Sequence, residues 1–249
     1  MSAMEKSSIT IAVIGLALSA PVASRQTPDV ARAIPVTLTG DVTLIPSNSD
    51  QPVKDASRVV VWLSSLDLAD LARATAEKQQ HFRMVQHNKR FEPSLLVVPV
   101  GSTVDFPNLD PWFHNVFSLY QGKRFDLGLY QAGSQKSIRF DRPGPSYLFC
   151  NIHPEMTGVI LAVGSEFFAT SDKAGHYSIA GIPPGRYMLR VWYESATAET
   201  LQALERVVVV DGGNPPFTAI SIPVTKPMHS DHKNKYGEKY DPDAVKTVY

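Results

Sequence analysis

The chain reads Tyr147-Leu148-Phe149-Cys150-Asn151-Ile152-His153-Pro154-Glu155-Met156, a short strand that runs into a tight loop. The two-residue period of a strand places Leu148 and Cys150 on one face and the two aromatic residues on the other. Cys150 therefore ends a strand and faces the same way as a core leucine. The loop adds an imidazole and a thioether to this thiol, so the sequence predicts a β framework with soft or borderline metal ligands on one loop.

Cys150 is the single cysteine of the chain, and the N-terminal residues indicate the compartment in which it works. Residues 1–24 have the pattern of a secretory signal peptide: Lys6 is the positive residue, 9–20 is the apolar stretch, and small residues follow. That stretch has about a dozen residues, whereas a bilayer requires about 20, so we expect cleavage and no membrane span in the mature chain. A periplasmic or secreted location follows. There, an unpaired thiol is either buried or bound to a metal.

The charge balance disfavours one class of partner. Lys plus Arg number 24 and Asp plus Glu also number 24 among 249 residues, so no overall field attracts nucleic acid. The apolar fraction of 43% is ordinary for a protein with a buried core. We therefore expect a folded protein that does not bind nucleic acid.

Strand patterns cover most of the chain. Apolar residues alternate with polar ones over 36–44, and Val59 to Leu63 is a more continuous apolar run. Further strand segments, separated by turn residues, follow over 91–140 and 170–224. Helical spacing behind Asp67 predicts one short amphipathic helix from Asp67 to Gln80. The expected fold class is all-β, with one short helix.

The donors on the loop indicate a copper site. A cysteine and two histidines in a plane, with a weak axial methionine, form the blue-copper arrangement, and the loop supplies all of these except one histidine. His114 is the candidate for that histidine, because it follows a strand and a turn and because two or more strands fit between it and Cys150. The predicted ligands, called the ligand set below, are His114, Cys150, His153 and Met156. One copper ion is the expected cofactor.

Two other kinds of site use the same residue types. Zinc binds cysteine and histidine readily, but structural zinc sites rarely use a thioether, so Met156 favours copper. A cysteine nucleophile needs a histidine base and an orienting third group, and the sequence shows no candidate for the third group. We therefore expect that the protein is not an enzyme.

Two groups of residues together resemble the cupredoxin family. They are Phe106-Pro107-Asn108 with His114-Asn115, and Cys150-x-x-His153-x-x-Met156. The short loop is similar to that of amicyanin-like and plastocyanin-like members. The resemblance covers roughly 91–163, and it implies a Greek-key sandwich with one blue type 1 copper ion held by the ligand set. It also implies that Asn115 supports the cysteine loop through hydrogen bonds as a second-shell residue.

The flanking segments resemble a second family. Val42-Thr43-Leu44, Pro52-Val53, Val59 to Leu63, Thr170 to Tyr177 and Ile182 to Tyr187 are similar to carboxypeptidase regulatory-like (transthyretin-like) sandwich domains. Such motifs identify a scaffold, and the resemblance implies contact with a carbohydrate or protein surface. The expected domain plan is a signal peptide over 1–24, a small β-sandwich split between 34–66 and 165–224, a cupredoxin domain over 82–164, and a flexible tail over 225–249.

The expected function is single-electron transfer between redox protein partners by an exported copper protein. Two alternatives stay open. In one, the same ligands store, deliver or sense copper as a periplasmic carrier or sensor. In the other, the flanking sandwich is a carbohydrate-binding or partner-binding module, and the metal site has no redox role. For electron transfer, His153 on the loop is the expected exit route, and His114 is expected to lie deeper.

Overall fold

The computed structural model describes residues 35–47, 51–67, 80–119, 122–211, 218–225 and 232–240. Within these ranges the chain forms 17 strands and one short helix, so the expected all-β fold is confirmed. The helix predicted from Asp67 to Gln80 lies outside the described residues except at its two ends. No helix in the described part of the chain is long and apolar enough to cross a membrane.

The strands are numbered in chain order. They are β1 (Val36–Pro46), β2 (Val60–Ser65), β3 (His81–Arg83), β4 (Val85–His87), β5 (Arg90–Glu92), β6 (Leu95–Pro99), β7 (Thr103–Pro107), β8 (His114–Ser118), β9 (Phe125–Tyr130), β10 (Gln135–Arg139), β11 (Gly144–Phe149), β12 (Thr157–Val163), β13 (Phe167–Thr170), β14 (His176–Ile182), β15 (Gly185–Trp192), β16 (Arg206–Val210) and β17 (Thr218–Val224). The helix α1 (Ala198–Ala203) follows β15, and the side-chain oxygen of Thr197 caps it by accepting a hydrogen bond from the backbone N–H of Thr200 at 3.2 Å.

The strands pair into two sets of sheets. The ends of the chain build one set, with strand orders β14-β1-β17 and β13-β2-β15-β16. The stretch between them builds the other set, with orders β6-β12-β11-β8-β9 and β10-β7-β3, and the hairpin β4-β5 beside them. Most neighbouring strands run antiparallel. The exceptions among the named strand pairs are β1 with β17, β6 with β12, and β3 with β7.

Three apolar cores of the described residues lie between these sheets. The first core packs the two sheets of the outer set together and contains Val61. The second fills the sandwich of the central set and contains Leu148. The third contains Val60, Phe149 and Trp192, so it joins a sheet of one set to a sheet of the other. The four sheets therefore stack in layers, with two inner sheets that are covered on both faces.

Strands of the inner sheets differ in sequence from strands of the outer sheets, because only the inner sheets are covered on both faces. In β1, buried residues alternate with more exposed ones. In β2, the consecutive residues Val60 and Val61 are both buried but belong to different cores. In β12, six consecutive residues are buried. A strand covered on both faces reads as a continuous apolar run, as these two strands do.

Strand β11 carries the predicted ligand loop. Its two aromatic residues lie in the third core, whereas Leu148 and Cys150 lie in the second, so the predicted two-faced strand is confirmed. Strand β8 runs antiparallel to β11, with Phe149 opposite Phe117. Because of this direction, the start of β8 lies beside the chain that leaves β11. His114 is the first residue of β8, and the register thus brings it to the loop.

Candidate metal centre

Three predicted ligands meet at one end of the central sandwich. The Nδ1 atoms of His114 and His153 lie 3.1 Å apart. The Sγ atom of Cys150 lies 4.0 Å from the first of these nitrogens and 3.7 Å from the second. The exposed fractions of the three residues are 0%, 1% and 0% in the order His114, His153 and Cys150. Among the described residues, no other group of His, Cys, Asp or Glu side chains gathers in this way.

The spacing of these atoms fits a bound metal ion. Metal–nitrogen bonds of about 2.0–2.1 Å and a metal–sulfur bond of about 2.3 Å, opened by roughly 110–120°, place the donor atoms about 3.3–3.8 Å apart. The observed separations of 3.1, 3.7 and 4.0 Å lie around that range. One thiol and two imidazoles are also the donors that copper or zinc prefers. The residues present therefore suit a metal ion without a change of fold.

A buried carboxylate fixes the orientation of the first imidazole. Asp110 Oδ2 lies 2.8 Å from His114 Nε2, and the two side chains are 3% and 0% exposed. Burial alone would raise the pKa of Asp110, but hydrogen bonds from Lys89 N–H, His114 and Asn88 N–H outweigh it and hold the pKa below the usual value. The ionised carboxylate keeps the proton on Nε2, which leaves the Nδ1 lone pair directed at the site. Asn108 shapes this turn, because its Oδ1 accepts from Asp110 N–H at 3.0 Å.

Both imidazoles are neutral at neutral pH. Burial lowers the pKa of His114, although Asp110 acts in the opposite direction. The pKa of His153 is lowered to about 4, mainly by burial, and the proximity of a second imidazole, His114, and of the Lys89 charge acts in the same direction. Only a neutral imidazole can offer its lone pair to a metal, so both rings are ready to bind.

The sulfur of Cys150 lies in a pocket of backbone donors. Burial raises the pKa of the Cys150 thiol, against three backbone N–H groups that act to lower it. These groups belong to Ile152, Asn115 and His153. A fully buried thiol with a raised pKa does not suit a nucleophile, so the structure disfavours a cysteine-dependent enzyme. The same N–H groups would stabilise the thiolate that a metal requires.

Met156 closes the ligand loop, which we define as residues 150–156. Its backbone N–H donates to the carbonyl of His153 at 3.0 Å, and its carbonyl accepts from Cys150 N–H at 3.3 Å. Its side chain is fully buried in the same apolar core as Cys150. The fourth predicted ligand thus belongs to the same closed loop as two of the others.

Asn115 makes a different contact from the expected one. Its side-chain N–H donates to Asp126 Oδ1 at 2.7 Å, on the neighbouring strand β9. Its own Oδ1 is buried and makes no hydrogen bond with the described residues. The support that Asn115 gives the cysteine comes instead from its backbone N–H, which points at the sulfur. The expected hydrogen bond from the Asn115 side chain to the cysteine loop is therefore not observed, because the side-chain N–H donates to Asp126 instead.

One expectation about the surface of the site needs correction. His153 was expected nearer to solvent than His114, but both rings are essentially buried. Of the aromatic residues near the first histidine, Phe113 is 51% exposed, whereas Phe117 is fully buried in the third core. Exposure therefore does not distinguish the two histidines as electron routes, and the apolar surface at this end includes Phe113 but not Phe117.

Sequence reasoning missed the residues that hold the site from outside. Asp110 lies four residues before His114, and that spacing was a readable signal. Residues 232–240 gave no signal, because they lack apolar periodicity. They were expected in a flexible tail, yet Tyr240 and Lys235 hydrogen-bond to the ligand loop. The flexible tail over 225–249 stays a prediction; within it, the described residues 232–240 make specific polar and aromatic contacts with the end of β11 and the ligand loop.

Comparison with known proteins gives partial similarities. No family model and no curated protein matches the chain. A copper-containing nitrite reductase from Thermus scotoductus SA-01 is 28% identical over 35% of this chain, with a TM-score of 0.33, and the match spans only 23% of that enzyme. A purple cupredoxin from Nitrosopumilus maritimus is 23% identical over 33% of this chain and 99% of its own, with a TM-score of 0.30. Amicyanin from Paracoccus versutus is 19% identical over 36% of this chain and 88% of its own, with a TM-score of 0.32.

Proposed function

We propose that this protein carries single electrons through one copper ion held by the ligand set, in the periplasm or outside the cell. The observation that carries this proposal is the triangle formed by one Cys Sγ and two His Nδ1 atoms, with separations of 3.1–4.0 Å. The methionine in the same loop favours copper over zinc, since a thioether suits copper. Copper bound at this site would supply a one-electron couple.

The residues around the site favour a small change of structure during electron transfer. Asp110 holds one imidazole, and backbone N–H groups surround the sulfur. The loop is closed by its own backbone hydrogen bonds. Donors that are held in this way keep one arrangement for both oxidation states. On metal binding, Cys150 would release its proton, because only the thiolate is a good ligand.

Burial of the donors also bears on the carrier alternative. A protein that delivers copper must let a receiving ligand reach the ion. Here, each of the three donor side chains is 1% exposed or less. This arrangement favours retention of the metal, so we place electron transfer ahead of copper delivery.

The test is the visible and electron paramagnetic resonance spectrum of the Cu(II)-loaded protein. We expect an intense thiolate-to-copper absorption in the native protein and its complete loss in Cys150→Ser. His176→Ala is the matched control, because His176 is an exposed histidine on β14 and should leave the absorption unchanged. Reversible reduction with the copper retained supports electron transfer. Rapid loss of copper to a chelator would support a carrier instead, and binding of zinc without a copper–thiolate band would refute the copper assignment.

A further inference from the structure

A segment near the C-terminus packs against the ligand loop. Residues 232–240, called the C-terminal segment below, lie far from the loop in sequence. They contact three consecutive residues at the end of β11 and the start of the loop, namely Phe149, Cys150 and Asn151. The contacts are a hydrogen bond to a backbone carbonyl, a hydrogen bond to a side chain, and ring stacking, and each involves Cys150 or one of its two neighbours in sequence.

The most direct contact reaches a ligand residue itself. The Tyr240 hydroxyl donates a hydrogen bond to the backbone carbonyl of Cys150 at 2.9 Å, and the tyrosine side chain is half-buried. That carbonyl belongs to the peptide unit that joins Cys150 to Asn151. The next two peptide N–H groups along the loop point at the cysteine sulfur. A bond that fixes the carbonyl therefore also restricts the peptide units that orient the sulfur.

A second contact holds the loop one residue further on. The backbone N–H of Lys235 donates to Asn151 Oδ1 at 3.0 Å. The Nζ atom of the same lysine lies 2.9 Å from Asp126 Oδ2, and the other oxygen of Asp126 accepts from Asn115. Asn115 directly follows His114. The C-terminal segment is thus linked to both stretches of chain that carry ligands.

Aromatic packing completes the contact. The ring of His232 stacks on Phe149 with centroids 4.3 Å apart and an angle of 22° between the planes. The ring of Tyr240 meets His232 edge to face, with centroids 5.3 Å apart. The stacked rings position the Tyr240 hydroxyl at the end of β11, so the hydrogen bond to Cys150 does not depend on a freely rotating side chain.

We propose that the C-terminal segment is a clamp that sets the geometry of the ligand loop, with Tyr240 as its positioning residue. This inference rests on the copper site proposed above. The Tyr240 hydroxyl bonds to the backbone carbonyl of Cys150, not to its sulfur, so it acts through the cysteine peptide. The clamp holds the cysteine peptide on one ligand-bearing stretch of the chain. Asp110 holds His114 on the other ligand-bearing stretch.

The test compares Tyr240→Phe with Tyr236→Phe in the full chain. Tyr240→Phe removes one hydroxyl and keeps the ring. Tyr236 lies in the same segment with 70% of its surface exposed, so it is a matched control for the same chemical change. In the copper-loaded protein, we expect Tyr240→Phe to change the copper hyperfine splitting and the reduction potential. We expect Tyr236→Phe to give the same splitting and the same potential as the native protein. A purely structural role would lower stability and leave the spectrum of the folded protein unchanged.

A second measurement does not require metal. In the metal-free protein, Cys150 is buried, so a thiol reagent reaches it only when the loop opens. We expect Tyr240→Phe to raise the rate of this reaction by about three- to tenfold, which matches the net contribution of one hydrogen bond, and Tyr236→Phe to leave it unchanged. If the native protein shows no copper–thiolate band, the proposed function fails. The thiol reaction rates of the metal-free proteins then remain as the test of the clamp. Equal spectra, potentials and thiol reaction rates in Tyr240→Phe and the native protein would overturn the inference.

Discussion

Replacing Asp110 with asparagine tests how the first histidine is prepared for a metal. The Asp110 carboxylate accepts from His114 Nε2 at 2.8 Å, from Asn88 N–H at 2.6 Å and from Lys89 N–H at 2.9 Å. Asparagine keeps one accepting oxygen and replaces the other with a donor. At least one of these three N–H groups therefore faces another donor in the variant. If the amide nitrogen takes the Oδ2 position, His114 must move its proton to Nδ1, which places hydrogen where the metal must bind. If the amide oxygen takes the Oδ2 position, the nitrogen opposes Asn88 N–H, and His114 keeps only a neutral acceptor, which holds the Nε2 proton less strongly than the carboxylate does.

The size of the effect follows from these contacts. Loss of a residue that orients a metal-ligating histidine lowers metal affinity by about 10- to 100-fold, which is about 1.4–2.7 kcal/mol. A buried N–H group without an acceptor costs about 1–3 kcal/mol in the free energy of unfolding of the metal-free protein. Asp110→Asn should therefore fold, with lower stability, and bind copper more weakly.

The assay is a competition titration of Cu(II) against a chelator, with the paramagnetic resonance spectrum recorded for each loaded sample. The matched control is Asp41→Asn. Asp41 also pairs with a histidine, His176, but both side chains are exposed and lie on the outer sheet. This control should bind copper as tightly as the native protein. An Asp110→Asn variant with copper affinity within twofold of native and an unchanged spectrum would refute the role that we give to the carboxylate.

Two further predictions concern the outer set of sheets, with Gly133 of the central set as a comparison. Gly175 has φ +90°, and a Cβ atom there would lie 2.1 Å from a backbone carbonyl oxygen of β1, whereas Gly133 has φ +73° and open space around it. Gly133→Ala should cost about 1–2 kcal/mol of unfolding free energy from backbone strain, and Gly175→Ala a further 1–3 kcal/mol from the clash; equal losses in urea unfolding would contradict this. A hydrogen bond from His176 to Asp41 raises the pKa of His176 above its ordinary value of 6.5, so its stabilising effect is present below that value and is lost as the pH rises through the higher folded pKa. Nuclear magnetic resonance titration checks this: the His176 pKa should exceed 6.5 and fall in Asp41→Asn, and a native value at or below 6.5 would show that the pair is absent in solution.

Local patterns were sufficient for the strands and for the ligand loop. The two-residue period in β11 predicted that Leu148 and Cys150 share a face, and both lie in the second core. The chemical types in the loop predicted a metal site, and the structure brings His153 and Cys150 within 3.7 Å through a turn of only three residues. Both results depend on residues that are close in sequence, where the backbone leaves few arrangements.

Contacts between distant segments were harder to predict. The continuous apolar run in β2 indicated burial, but periodicity could not show that Val60 and Val61 would enter separate cores. The position of His114 after a turn indicates a candidate ligand. Its meeting with Cys150 depends on the register of β8 against β11, which is a property of the assembled sheet. The hydrogen bond from the side-chain amide of Asn115 to Asp126 on β9 likewise depends on how the sheet is assembled.

By itself, the sequence determined the all-β character of the chain, the two-faced strand that ends at Cys150, and the set of soft donors on one loop, because these depend on local periodicity and on side-chain chemistry. Only the tertiary structure decided the stacking of four sheets, the carboxylate of Asp110 behind His114, and the placement of Tyr240 on the carbonyl of Cys150. These contacts join segments through space, and their energy depends on distances and angles that exist only after the sheets have packed. No run of residues read in order contains that information.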